Sequence, residues 1–90
     1  GQEASYACLL DTSGNYIYHP DASLIGTKTT EPVLLDVVAR VQSGEEIAPA
    51  VTLDENDNYV AYSVSSMNNW ILPIYIPRSE IKRTHLRTIV

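Results

Sequence analysis

Three places in this 90-residue chain carry side chains that could do chemistry: His19 between Tyr18 and Pro20, the polar run Asp54–Asn58, and the lone Cys8. An imidazole titrates near neutral pH and offers two nitrogens, so His19 is a candidate ligand contact or pH sensor. The plainer role, and the favoured one, is a strand-end residue held extended by the following proline. His85 lies in a basic terminal stretch and reads as exposed. Asp54-x-Asn56-x-Asn58 repeats the first three ligands of a calcium loop. Tyr59 then stands where that loop needs glycine, and Ser65 where it needs a bidentate glutamate. A solvated hairpin turn is expected, and no metal is assigned.

Cys8 sits mid-strand among apolar neighbours with no base beside it, which suits an inert buried thiol and not a nucleophile. There is no G-x-S-x-G, no H-E-x-x-H and no glycine-rich phosphate loop, and paired carboxylates occur only in turns. No catalytic residue is assigned. The remaining chemistry lies in six tyrosines and Trp70, since rings with polar tips line small concave sites well.

Those side chains need elements to position them. Tyr6–Leu10 is an apolar strand. The turn formers Asp11, Gly14 and Asn15 fold it onto Tyr16–His19 as a hairpin, and Pro20 ends the ladder. Residues 20–30 form an irregular loop around Gly26. A helix follows, with Thr30 or Glu31 as N-cap and Pro32 in its first turn. Leu34, Val37, Val38 and Val41 make its buried stripe, Asp36 and Arg40 pair on its outer face, and Gly44 stops it.

Three more strands are expected at Ile47–Leu53, Tyr59–Ser66 and Trp70–Ile76, joined by turns at Asp54–Asn58 and Asn68-Asn69. Pro49 puts the first of them at a sheet edge. In the second, Tyr62 shares the inward face with Val60 and Val64, while Tyr59, Ala61, Ser63 and Ser65 take the other. Pro77 ends the last strand, and a helix opening at Arg78 or Ser79 carries Ile81, Leu86 and Ile89. The order β-β-α-β-β-β plus a terminal helix is α+β: a five-stranded antiparallel sheet with one helix on one face.

Hydrophobic residues at 44% suffice for one small globular domain. The formal charge of −5 argues against a nucleic-acid binder, which needs a basic face. That charge is uneven: residues 1–77 carry −8 and residues 78–90 carry +3. A basic end after an acidic body fits a solvated helix or a segment near an anionic membrane, with the solvated helix favoured on composition. No stretch of ~18 apolar residues is available to span a bilayer. One cysteine allows no internal disulfide.

The wording of several segments adds to this reading. Asp11…Gly14…His19-Pro20-Asp21…Ile25-Gly26 resembles the D-x-x-G-x-x-x-x-H-P-D-x-x-x-I-G segment of the Cache family, the PAS-like extracytoplasmic sensor modules of bacterial receptors. Tyr59-Val-Ala-Tyr-Ser-Val is similar to the family's Y-x-x-A-Y strand. Trp70-Ile-Leu…Ile76-Pro77-Arg-Ser-Glu-Ile81 is similar to its G-W-x-L…V-P-x-x-E-I ending, with Asn69 where the family has glycine.

The resemblance covers about residues 6–81 and implies a PAS-like sheet. It makes 1–77 a sensor module without the family's long N-terminal helix, and 78–90 the start of a helix leading toward a transmembrane segment, with ~20 apolar residues soon after Val90. It implies a periplasmic location in a membrane-anchored parent: a chemoreceptor, a histidine kinase or a diguanylate cyclase. It implies a homodimer, no cofactor, and a small ligand such as an amino acid, a carboxylate or an amine. The pocket would lie between the sheet and the loop at 20–30, lined by Tyr62, Tyr18 and Tyr6, with His19 beside them. The R-x-W-Y pattern of amino-acid-recognising modules is absent. A second reading is a ligand-free dimerising spacer between a distal sensor and the membrane. A third is a cytosolic scaffold of similar layout.

Overall fold

The computed structural model describes residues 4–80. Its strands are β1 (Tyr6–Ala7), β2 (Leu9–Leu10), β3 (Tyr16–Tyr18), β4 (Ala50–Leu53), β5 (Asn58–Val64) and β6 (Ile71–Pro77), and helix α1 (Pro32–Gln42) lies between β3 and β4. They form one antiparallel sheet in the order β3-β2-β6-β5-β4, and β1 also pairs with β6. β1 and β2 are the two halves of the expected first strand, so the five-strand layout holds. The first hairpin joins the later meander through β6, which is the centre of the sheet.

The break at Cys8 has a cause in β6. Tyr6 faces Tyr75 and Leu10 faces Ile71, which puts Cys8 opposite Pro73. A hydrogen-bonded antiparallel pair exchanges two N–H···O bonds. The Cys8 amide donates to the Pro73 carbonyl at 3.1 Å, but Pro73 has no N–H to return. The ladder with β6 is interrupted there and resumes at Leu10 opposite Ile71. Proline in a central strand is unusual. Here its ring is buried in the inner face between Ile71 and Tyr75, both also buried.

Two hairpin turns repeat one device. Asp11 Oδ1 accepts from the amides of Ser13 and Asn15, and Asp54 Oδ1 accepts from those of Asn56 and Asn58. The fourth residue of each turn takes positive φ: Gly14 at 89° and Asp57 at 63°. Asp54 therefore spends its oxygens on its own turn, as a hairpin requires, and Asn58 Nδ2 takes the second at 3.2 Å.

Helix α1 starts at Pro32 with Glu31 as N-cap, and Gly44 follows its end with φ of 87°. Leu34, Val37 and Val38 are buried, with Val41 packed against them. They cover an inner sheet face built from Cys8, Leu10, Tyr16, Val60, Ile71 and Tyr75. On the outer side of the helix Arg40 pairs with Asp36 at 3.7 Å, as expected, and grips Glu45 more closely through Nε and Nη2, at 3.0 and 2.8 Å.

Strand β4 is shorter than expected. Ile47 is buried before the strand begins, and Pro49 precedes its pairing with β5 as an edge strand. Segment 20–30 is more regular than expected. Asp21 caps a 3₁₀ turn at Ala22–Leu24, and the chain then pairs back onto β3. Gly26 N donates to Tyr16 O at 2.8 Å, Tyr16 N to Thr27 O at 2.9 Å, and Thr29 N to Gly14 O at 2.9 Å. β3 is thus no free edge. Residues 78–80 are helical, as the expected C-terminal helix start requires. Ile81, Leu86 and Ile89 lie outside the described residues.

Gly14 and Gly26 separate conformational from packing cost. Both have φ of 89°; a Cβ on Gly14 would stand 3.3 Å from Val38, and one on Gly26 would meet nothing within 4 Å. Gly26→Ala is expected to cost about 1–2 kcal/mol from backbone strain alone. Gly14→Ala is expected to cost more, and urea unfolding of the two variants measures the difference. Equal losses would show that the turn does not press on α1.

Candidate functional site

The pairing of β2 with β3 slips by one residue. Leu10 faces Tyr16, but Leu9 faces Tyr18, so Ile17 is an extra residue on β3. Side chains alternate along a strand, and a one-residue slip exchanges the faces. Leu9 lies between the buried Cys8 and Leu10 and so points away from α1. Tyr18, its partner, goes with it and is 53% exposed. His19 is turned inward instead. Its ring meets Tyr16 edge-on at 4.9 Å between centroids and lies 5.7 Å from Tyr6. Its Nδ1 accepts from the amide of Asp21 at 2.9 Å, which leaves the proton of the neutral ring on Nε2.

These rings wall a cleft of about 450 Å³, lined also by Leu24, Thr27, Lys28, Thr30 and Glu31. The cleft lies between the inner sheet face and segment 20–31. Tyr6 stacks on Tyr75 across the β1–β6 pair, with centroids 5.0 Å apart and planes 4° from parallel. Tyr16 Oη and Thr29 Oγ1 share a buried hydrogen bond of 2.9 Å, and Thr29 Oγ1 also accepts from the Glu31 amide at 3.1 Å. These two hydrogen bonds tie the loop, the strand and the start of α1 to one atom, Thr29 Oγ1.

Glu31 is at a cap position, yet its carboxylate caps nothing. It turns toward the rings, where the Tyr75 hydroxyl approaches it at 3.5 Å, a long contact. Burial raises the Tyr6 hydroxyl to about 12 and the Cys8 thiol to about 12, with the negative charge of Glu31 adding to both. Burial, and then the same carboxylate, also raise Tyr75; in Tyr16 burial outweighs the opposing bond from Thr29.

Of the four residues singled out from sequence, the structure brings Tyr6 and His19 together. It places Tyr18 on the opposite sheet face. Tyr62 is on the inner face as expected, but on the far side of α1, beside a separate groove with Pro32, Val33, Asp36, Val37 and Thr52. The sequence reading did not select Tyr16, Tyr75, Lys28 or Glu31. Strand alternation would have paired Tyr75 with the inner set; Glu31 carried only the signal of a cap residue.

The face away from α1 is also distinctive. Cross-strand register aligns Val51, Ala61, Ile74 and Ala7 in one row, Leu53, Tyr59 and Ile76 in a second, and Ser63 with Leu72 in a third. Val51, Leu53, Leu72 and Ile74 are exposed, and this face bears no charged side chain in those rows. A shallow groove of about 280 Å³ runs over the small Ala61 and Ser63.

No protein-family model matches the chain, and no curated protein does. Solved structures do. The extracellular domain of mmHK1S-Z3, a protein assigned as a histidine kinase, superposes with a TM-score of 0.71 at 17% identity over 93% of this chain and 34% of its own. That of mmHK1S-Z2, likewise assigned, gives 0.68 at 14% identity over 87% of this chain and 32% of its own. The chain shares its fold with part of these two extracellular domains. At these identities the likeness is one of architecture, the PAS-like α+β sheet, and the chain spans about a third of each neighbour. Among the described residues no helix is long and apolar enough to cross a membrane.

The raised phenol and thiol values fix a pH dependence. Each group is neutral in the fold and ionises more readily unfolded, where Cys titrates near 9.0 and Tyr near 10.0. The folded state therefore holds more protons above about pH 9, and stability falls as pH rises from there through about 12. Urea midpoints should be flat between pH 7 and 8 and drop between 9 and 11. A midpoint unchanged at pH 11 would contradict the burial of this cluster.

Proposed function

We propose that the chain is an extracytoplasmic sensor domain of a membrane-anchored receptor, of the Cache type, and that the ring-lined cleft is where a small molecule is sensed. The observation that carries this is the cleft's connection to the end of the sheet. Tyr75 forms part of the aromatic wall through its stack on Tyr6, and it lies two residues before Pro77, after which the chain turns helical at Arg78–Glu80. Arg78 is pinned there by its own amide to Asp57 O at 3.1 Å and by Nη1 to Asp57 Oδ1 at 3.2 Å. A ligand that repositions Tyr75 moves β6 along its length, and the helical exit carries that shift toward the membrane and a cytoplasmic output. The ligand biases two states only by binding one more tightly. In this reading residues 1–77 are the sensor lobe and 78–90 the lever.

The uncharged outer face supports a second element of the proposal, pairing of two copies or contact with another part of the parent. Contiguous apolar patches of this kind mark interfaces. It equally supports the alternative of a ligand-free dimerising spacer.

Two measurements separate these readings. A thermal-shift panel of amino acids, small carboxylates and amines should contain a compound that raises Tm saturably; at about ten times its Kd the gain is about 1.4 kcal/mol, several degrees for a domain this size. No saturable shift across the panel favours the spacer. In sedimentation at ~1 mM the chain should self-associate, and Ile74→Lys should make it monomeric with its Tm little changed. A monomeric parent chain would remove the pairing.

A further inference from the structure

The outer apolar face has nothing on it that identifies its occupant, and the groove beside Tyr62 is open and shallow; the cleft at Glu31 says more about what it takes. Resting on the reading of that cleft as the sensing site, we infer that the ligand presents an organic ammonium group, held by the Glu31 carboxylate against the faces of Tyr6, Tyr16 and His19.

The inference starts from charge. Glu31 and Lys28 line the same cleft, yet no ion pair joins them, and among the described residues no arginine or lysine pairs with Glu31. Among the described residues its carboxylate has one side-chain hydrogen-bond partner, the Tyr75 hydroxyl at a long 3.5 Å. A half-buried carboxylate left this way keeps most of its acceptor capacity for a donor from outside.

The surroundings choose the sign of that donor. Lys28 is exposed at the mouth, while Glu31 is half-buried beside the rings. Aromatic faces carry negative potential and attract cations, most when water is excluded. The Tyr6, Tyr16 and Tyr75 hydroxyls stay neutral through the physiological range, so they add donors and acceptors without adding charge. A carboxylate ligand in the same place would confront Glu31 directly. About 450 Å³ exceeds what a bare ammonium needs and leaves room for a carbon chain against Leu24.

The test uses n-butylammonium and butanoate, a matched pair differing in the sign of the head group, each titrated to ~20 mM at low salt and followed by amide and ring NMR shifts. Butylammonium should shift Tyr6, Tyr16, His19 and Glu31 saturably, and butanoate should not. Glu31→Gln should weaken butylammonium at least tenfold while circular dichroism stays unchanged, and Lys28→Ala should leave its affinity within about twofold. Butanoate saturating the same resonances, or Glu31→Gln binding butylammonium as well as the parent chain, overturns the ammonium assignment and leaves the cleft as a sensing site. If neither probe moves these resonances the assignment also falls, and the sensing reading then stands or falls on the wider panel above.

Discussion

One extra residue governs the cleft side of this molecule. Ile17 has no partner on β2, and the slip it causes sends Tyr18 outward and His19 inward. Without it, strict alternation would place Tyr16 and Tyr18 together on the inner face and aim His19 at solvent. The cleft would then lose the ring that closes it against Tyr6. Bulges are placed where a side chain must be re-aimed. Here the slip is held from its open side by the loop, through the bonds that join Tyr16 to Gly26 and Thr27. Thr29 completes the arrangement by bonding both the Tyr16 hydroxyl and the Glu31 amide.

The centre of the sheet is arranged around the same need. β6 is paired along both sides and offers Ile71, Pro73, Tyr75 and Pro77 to the inner face. Pro73 costs the ladder one bond at Cys8, yet the register against β6 is the same on both sides of the gap, from Tyr6 opposite Tyr75 to Leu10 opposite Ile71. The strand that carries Tyr75 thus ends directly at the helical residues 78–80. One helix can cover only one face, so a sheet this apolar on both sides leaves Val51, Leu53, Leu72 and Ile74 exposed on the other.

The elements were readable from sequence because local physics dictates them. Gly14 and Gly44 stand where positive φ is needed, Pro32 stands at a helix start, and the Leu34–Val38 spacing has helical period. Val60 and Tyr62 fell on the inner face because β5 alternates without a slip. Tyr18 did not, because a register slip depends on the partner strand and on loop bonds far along the chain. The interruption at Cys8 was hidden for the same reason: it arises from a proline 65 positions away that happens to face it. Glu31 looked like a cap, and only the folded chain brings it beside Tyr75. The resemblance to PAS-like modules anticipated the architecture shared with the two solved neighbours, through segments that shape turns and strand ends.

The slip itself can be observed without any ligand. Nuclear Overhauser contacts among ring protons, with a long-range proton–nitrogen spectrum of the imidazole, report which ring stands beside which. The account predicts His19 in contact with both Tyr6 and Tyr16, its Nδ1 unprotonated and bonded to the Asp21 amide, and Tyr18 showing no contact with Tyr6. Contacts from Tyr18 to Tyr6, with His19 free in solvent, would mean the register runs through without the extra residue, and the cleft as described would not exist.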